Sequence, residues 1–298
     1  MNIIVLGAGA IGSLIGGLLS KQNNVILIGR EKHVNAIKRN GLEIIGKTNL
    51  NIKIQAETNI KNINIEPDLL ILTVKSYDTE KAIKQAKNVI KKNTTVLSIQ
   101  NGIDNISKIT KNIDCKNIVA GVTTHGCIFL QPGIIKHTGI GKTILGDIKG
   151  DKSKKIAEIF NKAGIKTKIS KNIIREIWIK TIINSSINPL TALFQCKNGY
   201  LLRNPVLENI VEKICYESTN VANTLNLDLT YDDMLLVTKK VIKDTSENFS
   251  SMLQSIKMGK KTEIDSINGK IVEIGKEKKV DVYLNELLVF LVKYIYPN

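Results

Sequence analysis

A two-part α/β protein, with a doubly wound parallel sheet followed by an all-helical domain, is predicted by three observations. The chain opens on a short apolar run, NIIVL, which leads at once into a glycine-rich turn and a helical pattern. Up to about residue 170 such runs alternate with helical stretches, and beyond it the strand-like runs stop. The length of 298 residues suits two domains at about 100–200 residues each, placed at 1–170 and 171–298. Apolar residues make up 43 % and charged residues 23 %, which excludes a wholly disordered chain.

In chain order, residues 2–6 form the first buried strand. The turn Gly7-Ala8-Gly9-Ala10-Ile11-Gly12 follows, and residues 13–22 continue at helical spacing. This is G-x-G-x-x-G between a strand and a helix, the setting it needs to bind a dinucleotide. Gly7 permits the tight turn, Gly9 lets the backbone approach a pyrophosphate, and Gly12 lets helix and strand pack closely. The phosphates would rest on the free N–H groups at the helix start. The competing reading is a purely structural glycine turn.

The next strand, 25–28, ends in Gly29-Arg30. NAD enzymes place a carboxylate there for the ribose hydroxyls, whereas an arginine suits the extra phosphate of NADP. Glu31 is adjacent and could turn inward, and Arg30 could be an ordinary surface residue. Further strands are expected at 42–45, 52–56, 69–74 and 95–99. The last two end in Lys75-Ser76-Tyr77 and Gln100-Asn101-Gly102, placed where an open parallel sheet lines its ligand crevice. Asn-Gly is also a common turn. Shorter, partly antiparallel strands are expected at 119–124, 126–130, 134–137 and 143–145.

Helices are expected at 173–186, 205–225, 231–245, 263–278 and 284–294. In the first of these Lys180, Asn184 and Asn188 stack on one face, among Trp178, Ile179, Ile182 and Ile183. A lysine in such surroundings has a lowered pKa and can serve as a proton donor, while two amides can hold a carboxylate or hydroxyl. The plainer reading is a polar stripe facing water. Residues 248–254 and 262–269 form a second polar-rich helical region. Ser251 and Glu263 would meet one ligand only if the chain bends near Gly259.

Formal net charge is +16, with 26 basic against 12 acidic residues up to 170, and 17 against 15 beyond. Such an excess raises the question of nucleic acid or the steering of anions. The lysines are dispersed and lack the interleaved aromatics of a single-strand binder, and Ile, Asn and Lys share A/T-rich codons. A solvated basic surface is therefore expected, with no nucleic-acid partner. No membrane partner is expected either, since no apolar run approaches the ~18 residues of a span. The N-terminus lacks the features of a secretory signal. Cys115, Cys127, Cys196 and Cys215 read as reduced thiols of a cytoplasmic protein. His33, His125 and His137 are too few and scattered for a metal site, and none is expected.

Taken together, these stretches resemble the ketopantoate reductase (2-dehydropantoate 2-reductase) family. They are GAGAIG at 7–12, TVKSY at 73–77, QNG at 100–102, GVTTHG at 121–126, WIKTIINSSINPLTAL at 178–193, KNG at 197–199, SSMLQ at 250–254 and TEIDSINGKIV at 262–272. The resemblance implies a Rossmann domain joined to a helical domain, and NADPH-dependent reduction of ketopantoate to (R)-pantoate on the way to pantothenate and coenzyme A. It implies Lys180 as proton donor, with Asn184, Asn188, Asn198 and Ser251 on the keto acid. Asn101 would touch substrate and cofactor, Glu263 would contact the cofactor and order the catalytic site, and Lys75 would lie beside the nicotinamide. Gly126 stands where many members have alanine, as a backbone contact to the cofactor. Some members prefer NADH, so NAD stays open beside NADP. Two other functions also stay open: another two-domain 2-keto or hydroxy acid dehydrogenase, and a non-catalytic NADP sensor. A homodimer is admitted as the assembly.

Overall fold

A computed structural model describes residues 1–297 of the chain. They divide into two compact units, one of residues 1–100 and 105–176, the other of 101–104 and the described residues from 177 onward. No helix among the described residues is long and apolar enough to cross a membrane.

The first unit holds twelve strands: β1 (Asn2–Leu6), β2 (Asn24–Ile28), β3 (Leu42–Gly46), β4 (Leu50–Ile52), β5 (Gln55–Glu57), β6 (Leu69–Leu72), β7 (Thr95–Ser98), β8 (Ile118–Thr123), β9 (Gly126–Gln131), β10 (Ile134–Gly139), β11 (Thr143–Asp147) and β12 (Thr167–Ile169). Eight of them form the main sheet in the order β12-β11-β8-β7-β6-β1-β2-β5, parallel throughout except for β8 against β11. Burial on both faces explains why β6 reads as an unbroken apolar run, LLIL. Helices α1 (Ala10–Leu19), α2 (Glu31–Asn40), α3 (Thr79–Ala86), α4 (Asn105–Thr110) and α5 (Ser153–Lys162) connect the strands. The doubly wound class expected from the sequence is the one observed.

Three features depart from the strand-by-strand expectation. The run 52–56 is not one strand: β4 pairs with β3, β5 pairs with β2, and the chain passes between sheets at residues 53 and 54. A second sheet, β4-β3-β10-β9, takes up the antiparallel segments, with Gly133 (φ 84°) turning the β9–β10 hairpin. Helix α1 is packed on both sides: a Cβ on Gly16 would press on Leu27 of the main sheet, and one on Gly17 would lie 2.9 Å from Ile44 of the small sheet. That sandwich is why α1 is buried over most of its length and carries glycine at both contacts. Strand β12 has no counterpart in the sequence expectation; it adds to β11 just before the helical region.

All three histidines lie in the first unit, and burial lowers the pKa of each. His33, 3 % exposed, is pushed down to about 4; it accepts from the Gly133 amide and meets Ser13 Oγ at 3.0 Å. A neutral native imidazole that charges on unfolding makes the unfolded chain bind more protons between pH 4 and 6.5. Stability therefore falls as pH drops through that window, by on the order of 3 kcal/mol for His33 alone. Thermal melts across pH 4–7 should show this, and His33→Gln should flatten the slope. An unchanged slope would mean the other groups set it.

The second unit contains the remainder of α6 (Ile173–Leu193), then α7 (Pro205–Asn223), α8 (Tyr231–Asp244), α9 (Ser251–Lys257), α10 (Asn268–Glu277) and α11 (Tyr283–Ile295). Their starts are written in side chains. Asn204 caps α7 ahead of Pro205, Thr230 caps α8, and Ser250 caps α9. The core gathers Trp178, Ile182, Cys215, Val221, Ile271 and Val282. The helix expected over 263–278 starts later, because Ile264–Ser266 form a tight 3-10 turn and Ile267 leaves helical geometry before α10.

Candidate active site

In the first unit the glycine turn 7–12, Arg30 and Lys75 follow the carboxyl ends of three adjacent parallel strands, β1, β2 and β6, while Gly126 opens β9 of the second sheet. The chain runs from β1 to β2 on one side, while β6 lies on the other, so the strand order reverses at β1. The Gly7 and Ala8 amides donate to Ile28 O, Thr73 N donates to Leu6 O, and Ile99 N donates to Leu72 O. Thr73 Oγ1 also donates to Gly7 O at 2.8 Å, which pins the glycine turn to the loop carrying half-buried Lys75.

Gly7 has φ 112°, and a Cβ there would lie 2.5 Å from Val74 N, so no other residue fits. At exposed Gly9 the reverse holds: a Cβ would meet only Gly7 O, at 4.0 Å. Nothing in the protein demands glycine there, as expected where a ligand is to approach the backbone. Gly9 caps α1 without a side chain, the first turn carries no acid, and the amides of Ala10, Ile11 and Gly12 find no acceptor among the described residues. These are the properties of a phosphate cradle, and the residues present fit a dinucleotide. Arg30 is exposed at the start of α2, its guanidinium without an ion-pair or hydrogen-bond partner among the described residues, and Glu31 follows it. Gly126 opens β9, where a Cβ would sit 2.7 Å from Thr138 Oγ1, so alanine here would need that side chain to move.

By sequence Gln100 reads only as strand-end polarity, and its role is structural. It accepts from Ser98 Oγ and donates to Val74 O and Thr79 Oγ1, each at 2.8–3.0 Å. The turn after it belongs to the second unit. Gly102 (φ 92°) packs on Ser266, Ile103 N donates to Ser266 O at 3.3 Å, and Ser266 Oγ donates to Asp104 Oδ2 at 3.4 Å. Asn101 and the 263–266 turn are thereby held in one place.

Helix α6 carries Lys180, Asn184 and Asn188 as expected. Burial pulls the Lys180 ammonium down to about 8, against the opposing pull of the Glu263 carboxylate, which is 6 % exposed. Asn188 is buried, and its Nδ2 has no hydrogen-bond partner among the described residues. An unpaired buried amide costs ~1–3 kcal/mol, a cost that a ligand acceptor would recover. Asn198 is similar: its Nδ2 donates to Thr245 Oγ1 at 2.9 Å, while its Oδ1 is buried and unpartnered. Ser251 is the first residue of α9 and exposed. The anticipated bend exists, since Gly259 (φ 61°) closes α9 with Lys260 N donating to Ser255 O. Sequence reasoning misses Thr191, although it continues the polar stripe eleven residues after Lys180. It donates to Ser250 Oγ at 2.7 Å and so ties the start of α9 to α6.

The chain matches the family described as ketopantoate reductase PanE/ApbA over residues 3–150, and that family's C-terminal domain over residues 172–295. The protein belongs to the ketopantoate reductase family. A 2-dehydropantoate 2-reductase of Pyrococcus abyssi is 44 % identical, covering 98 % of this chain and 97 % of the relative. That of Pyrococcus horikoshii is 42 % identical over the same shares. Among solved structures, D-mandelate dehydrogenase with NADH and anilino(oxo)acetate superposes with a TM-score of 0.94 at 29 % identity, covering 99 % of this chain and 98 % of that one. A family ketopantoate reductase from Ralstonia eutropha gives 0.93 at 30 %, over the same shares. Like the other members, this ketopantoate reductase homologue is an oxidoreductase that depends on a pyridine nucleotide.

Proposed function

We propose that the protein reduces 2-dehydropantoate to (R)-pantoate with NADPH, in the cytoplasm, as a step toward pantothenate and coenzyme A. In this reading residues 1–170 bind the cofactor and residues 171–298 supply substrate contacts and the acid. The observation that carries it is a half-buried lysine whose pKa desolvation lowers, beside a buried carboxylate and on the same helix as two amides, one with an unsatisfied donor. Relatives at 44 % and 42 % identity carrying the 2-dehydropantoate 2-reductase name support the substrate.

When bound, NADPH supplies a hydride to the ketone carbon. The α1 amides and Arg30 would hold its phosphates, while Lys75, Asn101, Gly126 and Glu263 would hold or face the rest. Lys180 Nζ stabilises the ketone oxygen as charge builds there and gives it a proton; Glu263 keeps enough charge on the ammonium for this near neutral pH. Asn184, Asn188, Asn198 and Ser251 orient the keto acid, which selects the face attacked.

Loss of NADPH absorbance on adding ketopantoate, beside NADH and beside pyruvate and 2-ketoisovalerate, tests the reading. A preference for another keto acid would move the protein to a second function, a 2-hydroxy acid dehydrogenase. The 0.94 TM-score with an NADH-bound D-mandelate dehydrogenase favours including an aryl 2-oxo acid in the panel. Tight cofactor binding without any turnover would indicate a sensor. Asn188→Ala should raise the ketopantoate KM about five- to a hundredfold with NADPH affinity unchanged, since the lost amide leaves a ligand group unpaired. A fall in NADPH affinity instead would put this helix on the cofactor.

A further inference from the structure

Pro189 lies inside α6, one residue after Asn188. A proline has no N–H, so the Ser185 carbonyl four residues earlier loses its helical partner, and the ring crowds that same oxygen. Ser185 is fully buried, which makes an unpaired carbonyl there costly. Asn268 fills the gap, its Nδ2 donating to Ser185 O at 3.1 Å.

The orientation of that amide is set by a chain of buried groups. Glu217 accepts from the Leu284 and Asn285 amides and from Asn285 Nδ2, at 2.9–3.0 Å. Asn285 must then turn its Oδ1 the other way, where Asn268 Nδ2 donates to it at 3.0 Å. Reversing the Asn268 amide would set its oxygen against two acceptors. Its Oδ1 has no partner among the described residues, so its hydrogen bonding is invested in Ser185 and Asn285.

We propose that Asn268 is a positioning residue, whose amide replaces the bond Pro189 cannot make and so fixes how the half of α6 bearing Lys180 and Asn184 meets the half bearing Asn188. The inference rests on Asn184 and Asn188 being the amides that hold the keto acid. Misalignment of the two halves would separate groups that must grip one ligand, while Lys180 stays in place. Asn268→Ala should raise the ketopantoate KM about tenfold, with kcat lowered less and NADPH affinity within about twofold.

A double-mutant cycle separates this from a general packing role. In Pro189→Ala the restored backbone N–H can pair with Ser185, so adding Asn268→Ala should cost less than about twofold further in KM. Melting temperatures of the four proteins should show the same pattern, with Asn268→Ala lowering Tm more in the wild-type background than in the Pro189→Ala background. Asn268→Ser, which keeps one donor, should recover part of the loss and serves if the alanine variant does not fold. Equal losses in both backgrounds, or a folded Asn268→Ala with wild-type KM, would overturn the proposal. If the wild type does not turn over ketopantoate, the functional reading fails, and the melting cycle still decides whether Asn268 replaces the missing bond.

Discussion

Lys180→Ala should lose at least about a hundredfold in kcat while NADPH affinity stays within a fewfold of wild type. An ammonium that protonates a forming alkoxide acts mainly in the transition state, and general acids contribute ~10²–10⁴-fold. The pH dependence makes the test specific. Burial lowers the Lys180 pKa to about 8, so the wild-type rate should fall as pH rises through that value and the ammonium is lost. That basic limb should be absent in the variant. Removing the carboxylate charge with Glu263→Gln should lower the Lys180 pKa further and move the limb to lower pH.

Stability should run the other way. Between pH 8 and 10.5 the native lysine is neutral while the unfolded one is charged, so stability rises with pH across that window. Below it the partly desolvated ammonium costs stability, and Lys180→Met should melt higher than wild type at pH 7. Stopped-flow hydride transfer, cofactor fluorescence and calorimetry read these three quantities. A folded Lys180→Ala with near wild-type turnover would remove Lys180 as the acid and leave Lys75 as the next candidate.

Arg30→Ala should weaken NADPH about ten- to a hundredfold and leave NADH nearly unchanged. A guanidinium on a phosphate is worth roughly 1.5–3 kcal/mol. Arg30 is exposed at the start of α2 and its guanidinium has no partner among the described residues, so the substitution disturbs no internal contact. Initial rates with each cofactor over a range of concentrations give the answer directly. Equal losses with both would show that Arg30 serves some other part of the nucleotide, and a wild type that prefers NADH would point to Glu31.

The local grammar of the chain is legible because it is written in consecutive residues. The β1 run and the glycine turn each follow from backbone sterics and short-range hydrogen bonds. The face shared by Lys180, Asn184 and Asn188 follows from helical periodicity alone. Which sheet a strand joins does not. Residues 52–56 look like one strand, yet pairing with β3 claims one end and pairing with β2 the other, and both partners are distant in sequence. Gln100 reads as strand-end polarity until its three bonds are seen to be spent on Ser98, Val74 and Thr79. Pro189 has no N–H to offer the Ser185 carbonyl, and only the tertiary arrival of Asn268, 83 residues away, satisfies it. Period and turn chemistry are short-range, whereas satisfaction of a buried polar group depends on whatever the fold brings alongside it; the glycine turn and the shared face of α6 are therefore legible in the sequence, and the bonds that Gln100 and Asn268 make only in the structure.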